Sequence, residues 1–195
     1  MSYGERTIDQ FLSDIASADV TPAGGSATAV VGATGAALCE MVCIHTVAKA
    51  DHADVAATLA DSRDELRATR ATLLDLADRD GEAVDALLAA SDEDMAAATR
   101  RATGVPLAIA EACRTVLDHA VVVTELGTTN AVPDAATGAF LARSALQAAV
   151  FTVRYNVRGM DDPSFVAKME ERAADVESDS DAAFEQVLAN AGAER

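Results

Sequence analysis

TPAGGSATAVVGATGAALCEMVCIHTVAK, residues 21–49, opens with a helix breaker, two glycines and a serine, then runs through small apolar residues to a lysine. Ala23 to Cys39 carries no charge, yet that run falls short of the roughly 20 apolar residues a bilayer crossing needs, and its Gly, Ala, Ser and Thr make it only mildly hydrophobic. Glu40 and His45 interrupt any continuation. The stretch therefore reads as a buried helix from Ser26 to about Ala48 in a soluble bundle rather than as a membrane span. Gly32 and Gly35 weaken its intrinsic propensity but let another helix come close.

Helices are expected on both sides of it. Ile8, Phe11, Leu12 and Ile15 follow the i, i+3, i+4, i+7 pattern, which predicts a short amphipathic helix over residues 6–18. From about Asp54 to Ala90 a long helix carries Leu59, Leu66 and Leu73 at heptad spacing, and Gly81 is placed to bend it. A polar helical stretch then reaches Thr103, where Gly104 and Pro106 mark a break before an almost continuously apolar helix over 106–125. After Gly127 and a polar connection comes a helix from Asp134 to Val157, and MDDPSF starts the last one with Asp162 as cap and Pro163 at its first position. No segment alternates with period two. The prediction is an all-α bundle of about six to seven helices, several long and antiparallel, forming one domain over residues 1–195. Its two central helices are apolar nearly all round, more than one layer of neighbours covers in a chain this size, so a homodimer is expected to bury the excess.

Composition limits what the bundle can do. With 32 acidic residues against 15 basic ones and a formal net charge of -17, the chain's field repels a phosphate backbone, which excludes nucleic acid as a partner. Its only lysines are Lys49 and Lys168. Dense carboxylates of this kind fit a halophilic protein whose self-repulsion salt screens. Met1 leads directly into the polar SYGERT, without the basic and apolar regions of an export signal, so a cytoplasmic location is expected. Cys39 and Cys43 share a helical face near His45, but no second Cys or His pair completes a ligand set, so they read as core fillers and no metal is expected. His45 and His119 read as packing residues and His52 as a surface or loop residue.

The bare entrance at Gly24, Gly25 and Ser26 allows two readings. It is either a turn before a packed helix or a place where free N–H groups meet an anion or an electron-rich atom, with Ser26 capping the helix or facing the ligand. It lacks the Gly-Lys-Ser ending of a phosphate-binding P-loop and the preceding strand of a dinucleotide fold.

From TPAGGSATAV through GATGAALCEMVCIHTVAK, the chain resembles the amino-terminal signature of the cyclodeaminase/cyclohydrolase family: a Pro-Gly-Gly-Gly-Ser entrance, a small-residue helix and a lysine near its end. Ala23 stands in place of the first glycine, while Gly24, Gly25, Ser26 and Lys49 match. ADRDGEAVDALLAA and TTNAVPDAATGAFLARSALQAAVFTVRYNVRGMDD resemble later family segments in the same order, with Asn130, Asp134 and Asn156 retained and Pro133 in place of a serine. The likeness runs from about Ile8 to Asp162.

That resemblance implies a small all-helical, dimeric enzyme acting on a reduced folate as substrate, without a further cofactor. It implies hydrolysis of 5,10-methenyltetrahydrofolate to 10-formyltetrahydrofolate or, as the near alternative, deamination of formiminotetrahydrofolate with release of ammonia. The absence of a preceding transferase segment tilts the choice to the cyclohydrolase. Either reaction passes through a tetrahedral carbon bearing nitrogens and moves a proton, so Lys49, Asp80 and Asp134 are the candidate catalytic residues. Gly24, Gly25, Ser26, Asn130 and Asn156 are the candidate substrate contacts, and Arg143, Arg154 and Arg158 alternative partners for the glutamate tail. Each has a plainer role: helix-end charge for Asp134 and Lys49, a solvated face for Asp80, capping or a satisfied amide for the asparagines, cover for apolar surface for the arginines. An alternative of another class is a helical protein that binds folate without turnover or serves only in assembly.

Overall fold

The computed structural model describes residues 2–49 and 55–192, so His52 lies outside the described residues. Among them every regular element is a helix. A 3-10 turn at Tyr3–Glu5 precedes α1 (Ile8–Ile15), α2 (Gly24–Val47), α3 (Ala56–Leu88), α4 (Met95–Leu126), α5 (Val132–Asn156) and α6 (Pro163–Asn190).

Helix α2 lies inside the bundle, packed on α3, α4 and α5. Its partners descend in number as it ascends: Ser26 meets Asp80, Gly32 meets Leu73, and Glu40 accepts from Arg67 and Arg70, so α3 runs antiparallel to it. Against α5 the backbones nearly touch, because a side-chain carbon on Gly35 would stand 2.5 Å from the Gly138 carbonyl oxygen. The small residues serve this approach. Ala29, Ala33, Ala36 and Cys39 fill the remaining contact, and Leu59, Leu66 and Leu73 are buried at their heptad spacing. Burial pushes the thiols of Cys39 and Cys113 up to about 12 and that of Cys43 to about 11, and the Cys39 thiol donates to the Ala135 carbonyl. Helices α2 and α5 are each long and apolar enough to cross a membrane, but half of the apolar window of each is buried within the bundle.

The break expected at Gly104 and Pro106 does not occur. Helix α4 runs through both residues. Proline removes the N–H that would reach the carbonyl four residues earlier, which is that of Ala102, and the Asn156 carboxamide donates to that same oxygen at 2.9 Å from the end of α5. A side chain thus replaces the lost main-chain donor, and the helix continues. The last helix starts as expected, with Asp162 accepting from the Phe165 N–H and Pro163 in the first turn. It runs antiparallel to α5, through Arg154–Glu177 and Arg143–Asp181, and parallel to α4, through Arg172–Glu111 and Arg114–Asp179. His45 is exposed rather than packed, because it lies beside exposed Ile44 on the side of α2 turned away from its helical neighbours; His119 is half-buried on α4.

The same substitution is expected to have opposite signs at two helical glycines. Gly35→Ala drives a carbon against the α5 backbone and should destabilise by about 1–3 kcal/mol, whereas a carbon on Gly104 meets nothing within 4 Å, so Gly104→Ala should stabilise by up to about 1 kcal/mol. Urea denaturation of the two variants measures both.

Candidate functional site

At the amino-terminal end of α2, the bare backbone is occupied by the protein's own carboxylate. The cap residue Ala23 offers no side-chain hydrogen bond, so the first N–H groups of the helix need an acceptor from elsewhere. Asp80, on α3, supplies it. The Ser26 hydroxyl lies 3.0 Å from Asp80 Oδ2 and 3.0 Å from the Ala77 carbonyl oxygen, and the Ser26 main-chain N–H also bonds the carboxylate. A side-chain carbon on Gly25 would fall inside that carboxylate. Glycine there is a condition for Asp80 to enter, while Gly24 has open space around it.

Two effects set the charge state of Asp80. It is 6% exposed, and this desolvation raises its pKa; the two donors from Ser26 pull it back, and the balance stays above the ordinary carboxylate value. An Asp held this way accepts a proton more readily than a solvated one.

The amino-terminal segment closes over the same part of α3. Asp78 accepts from the Ser2 hydroxyl at 2.5 Å and from the Tyr3 N–H at 2.7 Å. The Tyr3 ring packs on Phe11 beneath the Arg6 guanidinium, and its hydroxyl lies where a side chain on Gly81 would stand. Burial raises the Tyr3 pKa, partly offset by a hydrogen bond with Thr21. A cavity of about 340 Å³, lined by Ser2, Tyr3, Arg6, Asp78, Gly81, Glu82 and Asp85, opens here. A larger one of about 650 Å³ shares Asp78 and Glu82 and extends between α3 and α4 to Arg79, Arg101 and Gly104.

The opposite end of α2 carries a second polar cluster. Lys49 Nζ donates to the Thr128 hydroxyl at 2.8 Å, and the Thr128 N–H donates to the Thr46 hydroxyl at 2.9 Å. Asn130 is exposed two residues further on, and Asp134 is exposed in the first turn of α5. At about 1.5 Å per residue, Ser26 and Lys49 are about 34 Å apart. Within one chain, then, Gly24, Gly25, Ser26 and Asp80 come together at one end of α2, while Lys49, Asn130 and Asp134 belong to the other. These candidate residues do not converge within one chain, because an unbroken helix of 24 residues separates Ser26 from the end that carries Lys49. Asn156 stands apart, engaged with the Ala102 carbonyl. Of the alternative tail contacts, Arg143 and Arg154 are paired with α6 carboxylates and Arg158 lies over the Tyr155 ring.

Sequence reasoning missed Tyr3, Thr21, Thr46 and Thr128. Only the two tyrosines' scarcity and a glycine in mid-helix at position 81 signalled the first; threonines are too common for the others to stand out.

Comparison with known proteins gives three consistent relations. The family model described as formiminotransferase-cyclodeaminase matches residues 7–175. The methenyltetrahydrofolate cyclohydrolase of Methylorubrum extorquens is 37% identical across 97% of this chain and 92% of its own length; the formimidoyltransferase-cyclodeaminase of Sus scrofa is 28% identical across 83% of this chain but only 32% of its own. The crystal structure of formiminotetrahydrofolate cyclodeaminase from Thermotoga maritima superposes with a TM-score of 0.94 at 25% identity, covering 97% of each chain.

A raised Asp80 pKa has a defined consequence for stability. Below its ordinary value of 3.8 the group is protonated in both folded and unfolded chains; as pH climbs through the higher folded value the unfolded chain holds fewer protons, and stability falls. Asp80→Asn should remove that component from the pH dependence of unfolding. Ser26→Ala should move the Asp80 midpoint, read by carboxyl-carbon NMR, further upward.

Proposed function

Because the chain belongs to the formiminotransferase-cyclodeaminase family, we propose that it is an enzyme of one-carbon folate metabolism that hydrolyses 5,10-methenyltetrahydrofolate to 10-formyltetrahydrofolate. The observation that carries this reading over the deaminase is the near end-to-end relation, at 37% identity, to a methenyltetrahydrofolate cyclohydrolase. Water adds to the amidinium carbon and loses a proton, giving a neutral tetrahedral adduct. The bond from that carbon to one ring nitrogen then breaks as this nitrogen takes up a proton and the adduct's hydroxyl gives one up, leaving the formyl group on the other. The sum is substrate cation plus water giving formyl product plus one proton.

Asp80 is suited to remove the proton from water. It is buried, its pKa is raised, and Ser26 fixes its orientation. Its negative form also offsets the substrate cation. Lys49 is suited to deliver a proton to the departing nitrogen, with Asn130 and Asp134 beside it on the same end.

The separation of these groups is resolved if two copies pair. The outward faces of α2 and α5 leave Val31, Ile44, Phe151 and Tyr155 exposed, on the two helices whose apolar windows are long enough to cross a membrane, in a chain otherwise dense in carboxylates. A homodimer on this face buries them. A two-fold axis lying in the contact plane and perpendicular to α2 sets the two copies of α2 antiparallel, and so carries the partner's Lys49 toward Asp80. The acidic composition supports a salt-adapted, cytoplasmic protein, and assays belong at high salt.

Accelerated loss of methenyl absorbance over a no-enzyme control, without comparable ammonia release from formiminotetrahydrofolate, is the expected result; the reverse assigns the deaminase, and no acceleration of either defeats the enzymatic reading. Asp80→Asn and Lys49→Ala should each remove turnover. Their mixture should restore about a quarter of wild-type activity, since half the random dimers are mixed and each has one intact site of two. No recovery on mixing would place both groups' work within one subunit.

A further inference from the structure

At the carboxyl-terminal end of α2, Lys49 is held by the Thr128 hydroxyl, and Thr128 is itself seated against the Thr46 hydroxyl. Gly127 ends α4, and a side chain on it would strike the Val123 carbonyl and stand 3.1 Å from Val42 on α2. With glycine, the chain leaving α4 passes directly against α2. That passage brings the Thr128 N–H to the Thr46 hydroxyl. Thr46 is fully buried and donates its own proton to the Val42 carbonyl at 2.8 Å, so its oxygen is committed to accepting from Thr128. The Thr128 hydroxyl, fixed in turn, accepts from Lys49 Nζ.

We propose that Thr128 is a positioning residue for the Lys49 ammonium and that Thr46 acts one step behind it by fixing Thr128. The inference rests on the reading that gives Lys49 a role in turnover. A lysine just past a helix end has four rotatable carbons and a strongly hydrated head; left free it would spend little time at one place. A single acceptor of fixed position, set by a buried hydroxyl and a turn that only glycine allows, restricts that freedom. Preorganisation of this kind acts on rate through the fraction of time the group is correctly placed.

The test compares Thr128→Val, Thr128→Ser and Thr46→Val with Lys49→Ala and with the Lys49→Ala/Thr128→Val double variant, measuring kcat and KM for methenyl hydrolysis. Thr128→Val should lower kcat/KM about tenfold, Thr128→Ser should recover most of it, and Thr46→Val should lie between. Adding Thr128→Val to Lys49→Ala should cost nothing further, because a residue that works through Lys49 has no effect without it. The two lysines of the chain allow a second readout independent of turnover: with side-chain 15N-labelled lysine, Thr128→Val should shift the Lys49 signal and leave Lys168 unmoved. Loss of kcat/KM by Lys49→Ala but not by Thr128→Val, an additive double variant, or an unshifted Lys49 signal overturns the proposal. Full activity in Lys49→Ala overturns the reading of Lys49 itself, and the positioning role falls with it.

Discussion

Helix α2 touches three other helices along nearly its whole length, and this depends on main chain meeting main chain rather than on side-chain bulk. Gly35 and Gly138 leave no room for a single carbon, and Gly32 stands against Cys113 of α4 and Leu73 of α3. Small residues bury little apolar area each, so the helix contributes through the number of neighbours it admits at close range. The consequence is rigidity at both ends. Once α3, α4 and α5 are seated on α2, the positions of Asp80, opposite its first turn, and Thr128, opposite its last, follow from the packing.

Gly25 and Ser26 at the entrance of α2 have one physical explanation. An uncapped helix start needs an acceptor, and Asp80 brings one from α3. Gly25 makes space for the carboxylate and Ser26 bonds it twice. A solvated aspartate would gain nothing as a base from such surroundings. Here burial outweighs the donors, and the group is held in one orientation with its proton affinity increased. The structural and the chemical readings of the entrance therefore describe the same contact, with the ligand of the helix end being a side chain that is itself fitted to act.

Much of the architecture was legible because the helices are long and their apolar positions repeat: the heptad leucines of α3 and the Asp162-Pro163 start of α6 needed no tertiary information. The continuity of α4 was not legible. A proline in mid-helix reads locally as a break, and its compensation comes from Asn156, fifty-four residues beyond the Ala102 carbonyl that it reaches. The same distance hid the bond that this asparagine makes to the Ala102 carbonyl, which no local pattern signals. Gly25, Ser26 and Asp80 could each be singled out as candidates from sequence, but neither their mutual contact nor why glycine is required there was legible. The separation of Ser26 from Lys49 was in principle legible, since both bracket a helix predicted to be unbroken.

That separation bears on how the site is assembled. A helix presents a partial positive charge at its amino terminus and a partial negative one at its carboxyl terminus. Asp80 meets the first and Lys49 lies just beyond the second, so each ionised group sits where the field of α2 favours its charge. In a single chain the two groups are about 34 Å apart, far beyond the Debye length of about 8 Å at physiological salt, and neither perturbs the other. An antiparallel pairing of two α2 helices changes this. It sets opposite dipole ends beside one another and brings a carboxylate from one chain toward an ammonium from the next, while covering the apolar faces of α2 and α5. The same geometry that leaves the single chain with a divided set of polar groups would make the paired chain's set complete, and added salt would weaken the repulsion between two bodies of net charge -17 more than it weakens a contact that excludes water.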